Sequence, residues 1–298
     1  MVITTRLTNA SLKLAPLSEF ADNYDGLLCD IWGVLHNGIA AFGDAVDALC
    51  RYRADGGVVI LITNAPRSNR EIYQQLERFG VPREAFDSVV TSGDIASILM
   101  AEKPAAPLFH FGPARDHSIL DGLTNTIVGI KDAELCLLTG PLDDTIETVE
   151  IYQSFLIEMR NNGVEMICAN PDLVVQSGGR TVICAGSIAQ QYAKLGGTVV
   201  FAGKPEALIY EEALKRMASI AGRNIPTRRL LALGDGLPTD IKGAAINGLD
   251  AYFITGGIHA KEFGDMNIQT NVTKAVNKIE SLFLDINLVG ISDQLRWV

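Results

Sequence analysis

From residue 26 onward, short apolar runs rich in β-formers alternate with stretches of helical periodicity. The first run, Gly26-Leu27-Leu28-Cys29-Asp30, is followed by a loop punctuated by Gly33 and Gly38. Asp44 to Ala54 reads as a helix stopped by Gly56-Gly57, and Val58 to Thr63 as a buried strand. Ser68 and Glu71 stand at capping-box spacing at the head of a further helix, which Gly80 and Pro82 close. Val89-Val90 and Ile95 to Ala101 give one more strand and helix before Lys103-Pro104-Ala105-Ala106-Pro107, a linker-like segment. Alternation of this kind predicts a parallel sheet covered on both faces.

Past residue 107 the pattern changes. Strands are expected at 108–111, 125–129, 134–138 and 164–168, with a long helix from Asp144 to Arg160. Alternation resumes with Thr198 to Ala202, Pro205 to Ala221, Arg229 to Leu233 and Ala251 to Thr255. This reads as an α/β core of residues 1–106 and 200–298, into which residues 107–199 insert an α+β unit. Insertions of this kind usually form a cap over a site. The tail from Ser281 is too apolar for a free terminus and is expected to dock on the core or on another subunit.

Four apolar strands end in polar groups: Asp30; Thr63-Asn64; Gly203-Lys204-Pro205; and Gly234-Asp235, with Asp240 five residues on. In an open parallel sheet, ligands bind beyond the carboxyl ends of the strands, so segments distant in sequence can share one site. A nucleophile, hydroxyl and amide donors, a cation and further acids form the inventory for handling phosphate on a divalent metal. Asp30 and Asp235 can share Mg²⁺, a hard cation that prefers oxygen ligands. Thr63 offers a hydroxyl, Asn64 an amide or backbone N–H, and Lys204 a point charge to phosphoryl oxygens. Asp240 is suited to orient Lys204 or a metal-bound water.

With 298 residues and 48% hydrophobic content, the chain can bury one large core or two moderate ones. A net charge of -10 argues against nucleic acid and anionic lipid as partners. The longest apolar stretch, Val58 to Ile62, is far too short to span a membrane, and the N-terminus lacks the order of a secretion signal. The protein is therefore expected in the cytosol. Five cysteines without a CxxC pair read as reduced core thiols, and alternation along a strand turns Cys29 inward, away from Asp30. His36 reads either as a substrate contact or as a solvated loop residue.

The ordered set Asp30-x-Trp32-Gly33-Val34-Leu35, Thr63-Asn64, Gly203-Lys204-Pro205 and Gly234-Asp235-x-x-x-x-Asp240 resembles the haloacid dehalogenase (HAD) superfamily. The Thr-Asn motif, the long insertion, Cys168-Ala169-Asn170-Pro171-Asp172 and Cys184-Ala185-Gly186-Ser187-Ile188 are similar to its subclass IIA, the NagD-like and p-nitrophenyl phosphatase-like branch. The resemblance covers residues 22–280. It implies a Rossmann-like core with a C2-type cap, Mg²⁺, and phosphoryl transfer from a small phosphorylated metabolite to Asp30. It further implies metal ligation by Asp30, Asp235 and the Trp32 backbone carbonyl. Thr63, Asn64 and Lys204 would hold the phosphoryl group, Asn170 and Asp172 would be cap contacts, and a homodimer would join through the cap. Phosphatases of this family carry an acid–base Asp where this chain has Trp32, whose indole has no useful pKa. Two alternatives follow: a phospholigand-binding protein without turnover, and a hydrolase of carbon–halogen or carbon–phosphorus bonds.

Overall fold

A computed structural model describes residues 14–143, 146–177 and 180–298. In chain order its elements are β1 (Gly26–Asp30), α1 (Gly43–Ala54), β2 (Val58–Thr63), α2 (Asn69–Arg78), β3 (Ser88–Thr91) and α3 (Ser92–Ala101). There follow β4 (Leu108–Phe111), β5 (Leu135–Leu138), α4 (Gln153–Asn161), β6 (Glu165–Cys168), β7 (Val174–Ser177), β8 (Arg180–Ile183), α5 (Ala185–Lys194) and β9 (Val199–Phe201). The last third holds α6 (Ala207–Ala221), β10 (Leu230–Gly234), α7 (Lys242–Ile246), β11 (Asp250–Ile254), α8 (Ala260–Phe263), α9 (Gln269–Leu282) and β12 (Asn287–Ser292).

The chain divides into two compact units, one drawn from 1–62, 75–89 and 210–298, the other from 63–74 and 90–209. The first is built on a six-stranded sheet of order β12-β11-β10-β1-β2-β3, in which β12, β11, β10, β1 and β2 run parallel. This is the expected Rossmann-like α/β core. Every residue of β1, β2 and β10 is buried, as a parallel sheet clothed on both faces requires. Each apolar side chain so buried contributes about 1.5–3 kcal/mol, and Leu27, Ile60, Leu61 and Leu231 are wholly enclosed. The strand order reverses at β1: the chain proceeds from β1 to β2 and β3 on one side, then returns to β10, β11 and β12 on the other.

The second unit carries a sheet of order β4-β5-β6-β9 whose strands are all parallel, with an antiparallel pair, β7 and β8, beside it in sequence. Its core packs Phe111, Leu138, Leu156, Met166, Ile188 and Tyr192 against one another. The units' borders differ from the sequence division at 106/107 and 199/200: residues 63–74, 90–106 and 200–209 belong with this unit.

Several expectations need correction. The strand expected at 125–129 is a single bridge, Leu108 to Ile127, with Ile127 about half exposed. Asp144 and Thr145 lie outside the described residues. The rest of that expected helix is a 3₁₀ turn, Val149–Tyr152, leading into α4. β-Branched Ile146, Thr148 and Val149 favour helix weakly, and Glu147 is engaged by Asp143 N–H and the Tyr152 hydroxyl instead. The run at 198–202 does not return to the core sheet; β9 pairs with β6. The apolar tail does dock on the core, as β12 beside β11, and Leu17 N–H bonds Arg296 O to draw both ends of the described chain together. All five cysteines are free thiols. Burial pushes Cys136 and Cys168 up, the latter to about 12, so both stay protonated. Among the described residues no helix is long and apolar enough to cross a membrane.

Candidate active site

In the first unit, β1 ends in Asp30, and β10, its neighbour across the reversal of strand order, ends in Gly234 with Asp235 next. This is the switch point at which parallel α/β sheets bind ligands. After Asp235 the chain makes one wide π-type turn, Leu237–Ile241, a form frequent at functional sites. The turn swings Asp240 back. Its Oδ2 accepts the Gly236 N–H at 2.9 Å, and one carboxylate oxygen from each of Asp30, Asp235 and Asp240 lies within 4.8 Å of the others. All three residues are buried, 5–7% exposed.

Three carboxylates in so small a volume repel, and burial adds to the penalty on each charge. The donor set is all oxygen and hard, which fits a divalent cation such as Mg²⁺. Asp240, expected in a supporting role, is a member of this cluster. Two further contacts fix Asp235: Ile258 N–H donates to its Oδ2 at 2.7 Å, and Gly33 lies directly against it. Gly33 has φ +84°, and a Cβ there would stand 2.1 Å from Asp235 Oδ2, so no other residue fits.

Trp32 is half-buried. Its ring meets His36 edge-on, with centroids 5.3 Å apart, and lies over Gly38. His36 is not the solvated loop residue offered as one reading. It is 2% exposed, packs edge-on to Phe79, and its Nδ1 accepts the Gly38 N–H at 3.1 Å. Burial lowers its pKa to about 4, so the ring is neutral near pH 7. This enclosure is not legible in the sequence near His36, because Phe79 arrives from just past the end of α2, some forty residues on.

In the second unit the remaining predicted residues form two linked groups. Thr63 Oγ1 accepts the Ala65 N–H at 3.2 Å, shaping the turn after β2. The Asn64 side chain donates to Asp172 Oδ1 at 2.8 Å and to Lys204 O at 3.3 Å, and accepts from Lys204 N–H at 2.7 Å. Both amide hydrogens and the amide oxygen are thus committed. Asn64 is a brace joining three segments, and its backbone N–H is the donor it can offer a ligand. Asn170 Oδ1 accepts the Asp172 N–H at 3.1 Å, which shapes the loop presenting Asp172 to Asn64. Thr63, Asn64 and Lys204 are all buried. Residues that sequence reasoning passed over are Gly257, Ile258 and His259; a paired glycine just past β11, Gly256-Gly257, was the available signal.

A haloacid dehalogenase-like hydrolase family model matches residues 27–124, and a second, HAD-hydrolase-like model matches residues 201–279. The crystal structure of a haloacid dehalogenase-like hydrolase from Brucella suis 1330 is 40% identical, with TM-score 0.83, covering 94% of this chain and 98% of that one. A 5′-nucleotidase of Bacillus subtilis (strain 168) is 24% identical over 263 residues, 87% of this chain and 96% of its own length. A glycerol phosphate phosphatase from Mycobacterium tuberculosis, solved in complex with calcium, is 25% identical with TM-score 0.61, covering 80% of this chain and 68% of that one. The chain belongs to the haloacid dehalogenase-like hydrolase family.

Proposed function

We propose that this hydrolase is a Mg²⁺-dependent phosphatase of small phosphorylated metabolites, working through an aspartyl-phosphate on Asp30. The observation that carries the reading is the buried convergence of Asp30, Asp235 and Asp240 at the switch point of the parallel sheet. The nucleotidase and glycerol phosphate phosphatase among its relatives support the substrate class.

Asp30, Asp235 and the Trp32 backbone carbonyl would hold the metal, with Asp240 beside them. Bound there, Mg²⁺ would offset the clustered negative charge and that of the phosphoryl group. A carboxylate oxygen of Asp30 attacks phosphorus, the ester oxygen departs with the bond's electrons, and water later cleaves the acyl phosphate to restore Asp30 and release phosphate. The Thr63 hydroxyl, the Asn64 backbone N–H and the Lys204 ammonium hold the phosphoryl oxygens as charge builds on them. Asp172, through Asn64, and Asn170, through Asp172, keep that donor group in place. Residues 107–199 form the specificity cap in the same reading, and pairing of two copies through it would appear as a dimer by light scattering.

Trp32 sets the rate pattern. General acid catalysis contributes roughly 10²–10⁴-fold for a poor leaving group and much less for one already stable as an anion. The protein should hydrolyse p-nitrophenyl phosphate or acyl phosphates measurably and simple alkyl phosphates very slowly. Phosphate release with and without Mg²⁺ tests this. Asp30→Asn should abolish turnover, and Trp32→Asp should raise alkyl-phosphate rates more than aryl-phosphate rates. Equal gains on both classes would show that Trp32 does not stand at the acid–base position. The packing of the Trp32 ring on His36 and Gly38 favours one second reading, a phospholigand-binding protein. Metal-dependent ligand affinity with no phosphate released from any ester would select it.

A further inference from the structure

The loop after β11 approaches the acidic cluster from outside the four sequence motifs. Its beginning is anchored to the end of β12: Thr255 N–H and Gly256 N–H donate to Ser292 O and Asp293 O at 2.8 and 2.9 Å. Ile258 N–H then reaches Asp235 Oδ2 at 2.7 Å. His259 follows. Its Nε2 accepts the Leu237 N–H at 3.4 Å, so that nitrogen carries the lone pair and Nδ1 carries the hydrogen, which is donated to Glu262 Oε2 at 3.0 Å. Glu262 is held in turn by Lys278 through its carboxylate and by Lys274 through its backbone oxygen, the latter at 2.7 Å. Phe253 and Phe263 flank the imidazole, with ring centroids 6.2 and 5.9 Å away.

We propose that His259 is a positioning residue for Asp235, an inference that rests on the metal-binding role given to that carboxylate above. Asp235 is gripped from two loops, the one it belongs to, continuing through Gly236 and Leu237, and the one that supplies Ile258 N–H. The imidazole cross-links them. Its hydrogen bond to Leu237 ties down the chain two residues after Asp235, and its place next to Ile258 holds the N–H that fixes the carboxylate's rotation. Glu262 fixes the ring's tautomer, as the outer partners of metal-site residues commonly do. His259 touches no reacting atom in this role; its effect passes through the angle at which Asp235 meets a cation.

The test is Mg²⁺ affinity measured by calorimetry on substrate-free protein, beside thermal stability. Glutamine places a carbonyl oxygen where Nε2 stands, whereas asparagine reaches only the Nδ1 position. His259→Ala and His259→Asn should weaken Mg²⁺ binding about tenfold, and His259→Gln should restore it to within about twofold of the parent. Unchanged affinity in folded His259→Ala, or equal affinity in the Gln and Asn variants, would overturn the inference and leave His259 a packing residue. If His259→Ala does not fold, the Gln-against-Asn comparison decides. Asp235→Asn separates the two levels. Mg²⁺ affinity unchanged in Asp235→Asn refutes the metal reading itself, whereas affinity lost there but retained in His259→Asn refutes only the role of His259.

Discussion

Adding one methyl group at Gly257 should damage the acidic cluster far more than the same addition at a glycine remote from it. A Cβ on Gly257 would lie 1.8 Å from Asp235 Oδ2, 2.4 Å from its Cγ and 2.5 Å from its Cβ. Ordinary contact begins near 3.4 Å, so the carboxylate would have to retreat by roughly 1.5 Å. Overpacking of this kind costs about 1–3 kcal/mol. The retreat also breaks the 2.7 Å bond from Ile258 N–H, worth about 1.5–3 kcal/mol when the acceptor is charged. Gly257→Ala should therefore lose about 2.5–6 kcal/mol of stability, with Mg²⁺ affinity reduced at least about tenfold. Gly43→Ala is the control: it sits at the start of α1 with nothing within 4 Å of its would-be Cβ. There the methyl should be neutral or stabilise by up to about 1 kcal/mol, by restricting the unfolded chain. Urea unfolding of both variants at one pH, with Mg²⁺ titrations on the folded proteins, gives the comparison. Matching stability and matching metal affinity in the two variants would refute the claim that Asp235 is sterically pinned.

Two further predictions concern the scaffold. The unfolded chain takes up a proton on His36 below its ordinary pKa of 6.5, which the folded chain refuses until about 4; stability held above pH 6.5 should thus fall as the pH drops through that window, by on the order of 3 kcal/mol. His110, likewise pushed down to about 4 by burial and by His117, adds a similar slope. His36→Phe should flatten the acid limb of urea midpoints measured between pH 7 and 4, and an unchanged slope would show that His36 is already accessible to protons. At the head of α2, Ser68 Oγ accepts the Glu71 N–H at 3.4 Å, and Glu71 Oε2 accepts the Ser68 N–H at 3.3 Å. Ser68→Ala should cost about 1 kcal/mol by the same assay, and no loss would show that the box is ornamental.

The core strands could be read because each is an apolar run with a glycine, proline or polar residue at its end, and the site acids stand at those ends. β2 was read to the residue. The helix after it was legible through Ser68 and Glu71, two side chains three residues apart. What escaped was set by partners far along the chain. Nothing in Val199-Val200-Phe201 tells whether three residues will pair with β6 or with a core strand. The committed amide of Asn64 depends on Asp172 and Lys204, and the burial of His36 on Phe79 and Trp32. The β7 and β8 pair is different: two short β-rich runs around Gly178-Gly179 are a recognisable hairpin pattern.

The placement of β1 has a consequence for how the chain is made. The strand that carries Asp30 lies inside the sheet, hydrogen-bonded to β2 on one side and to β10 on the other. On a ribosome β2 follows within a few dozen residues, but β10 emerges roughly 200 residues later. Throughout that interval the nascent chain presents an unpaired strand edge bearing apolar side chains, the form of surface that recruits other chains. The residue assigned the chemistry is thus translated among the first and enclosed among the last. The cost of a central position for the proposed nucleophile falls on synthesis: high-level expression should yield aggregates whose contacts map to β1, and slowing translation after β9 should lengthen the exposure.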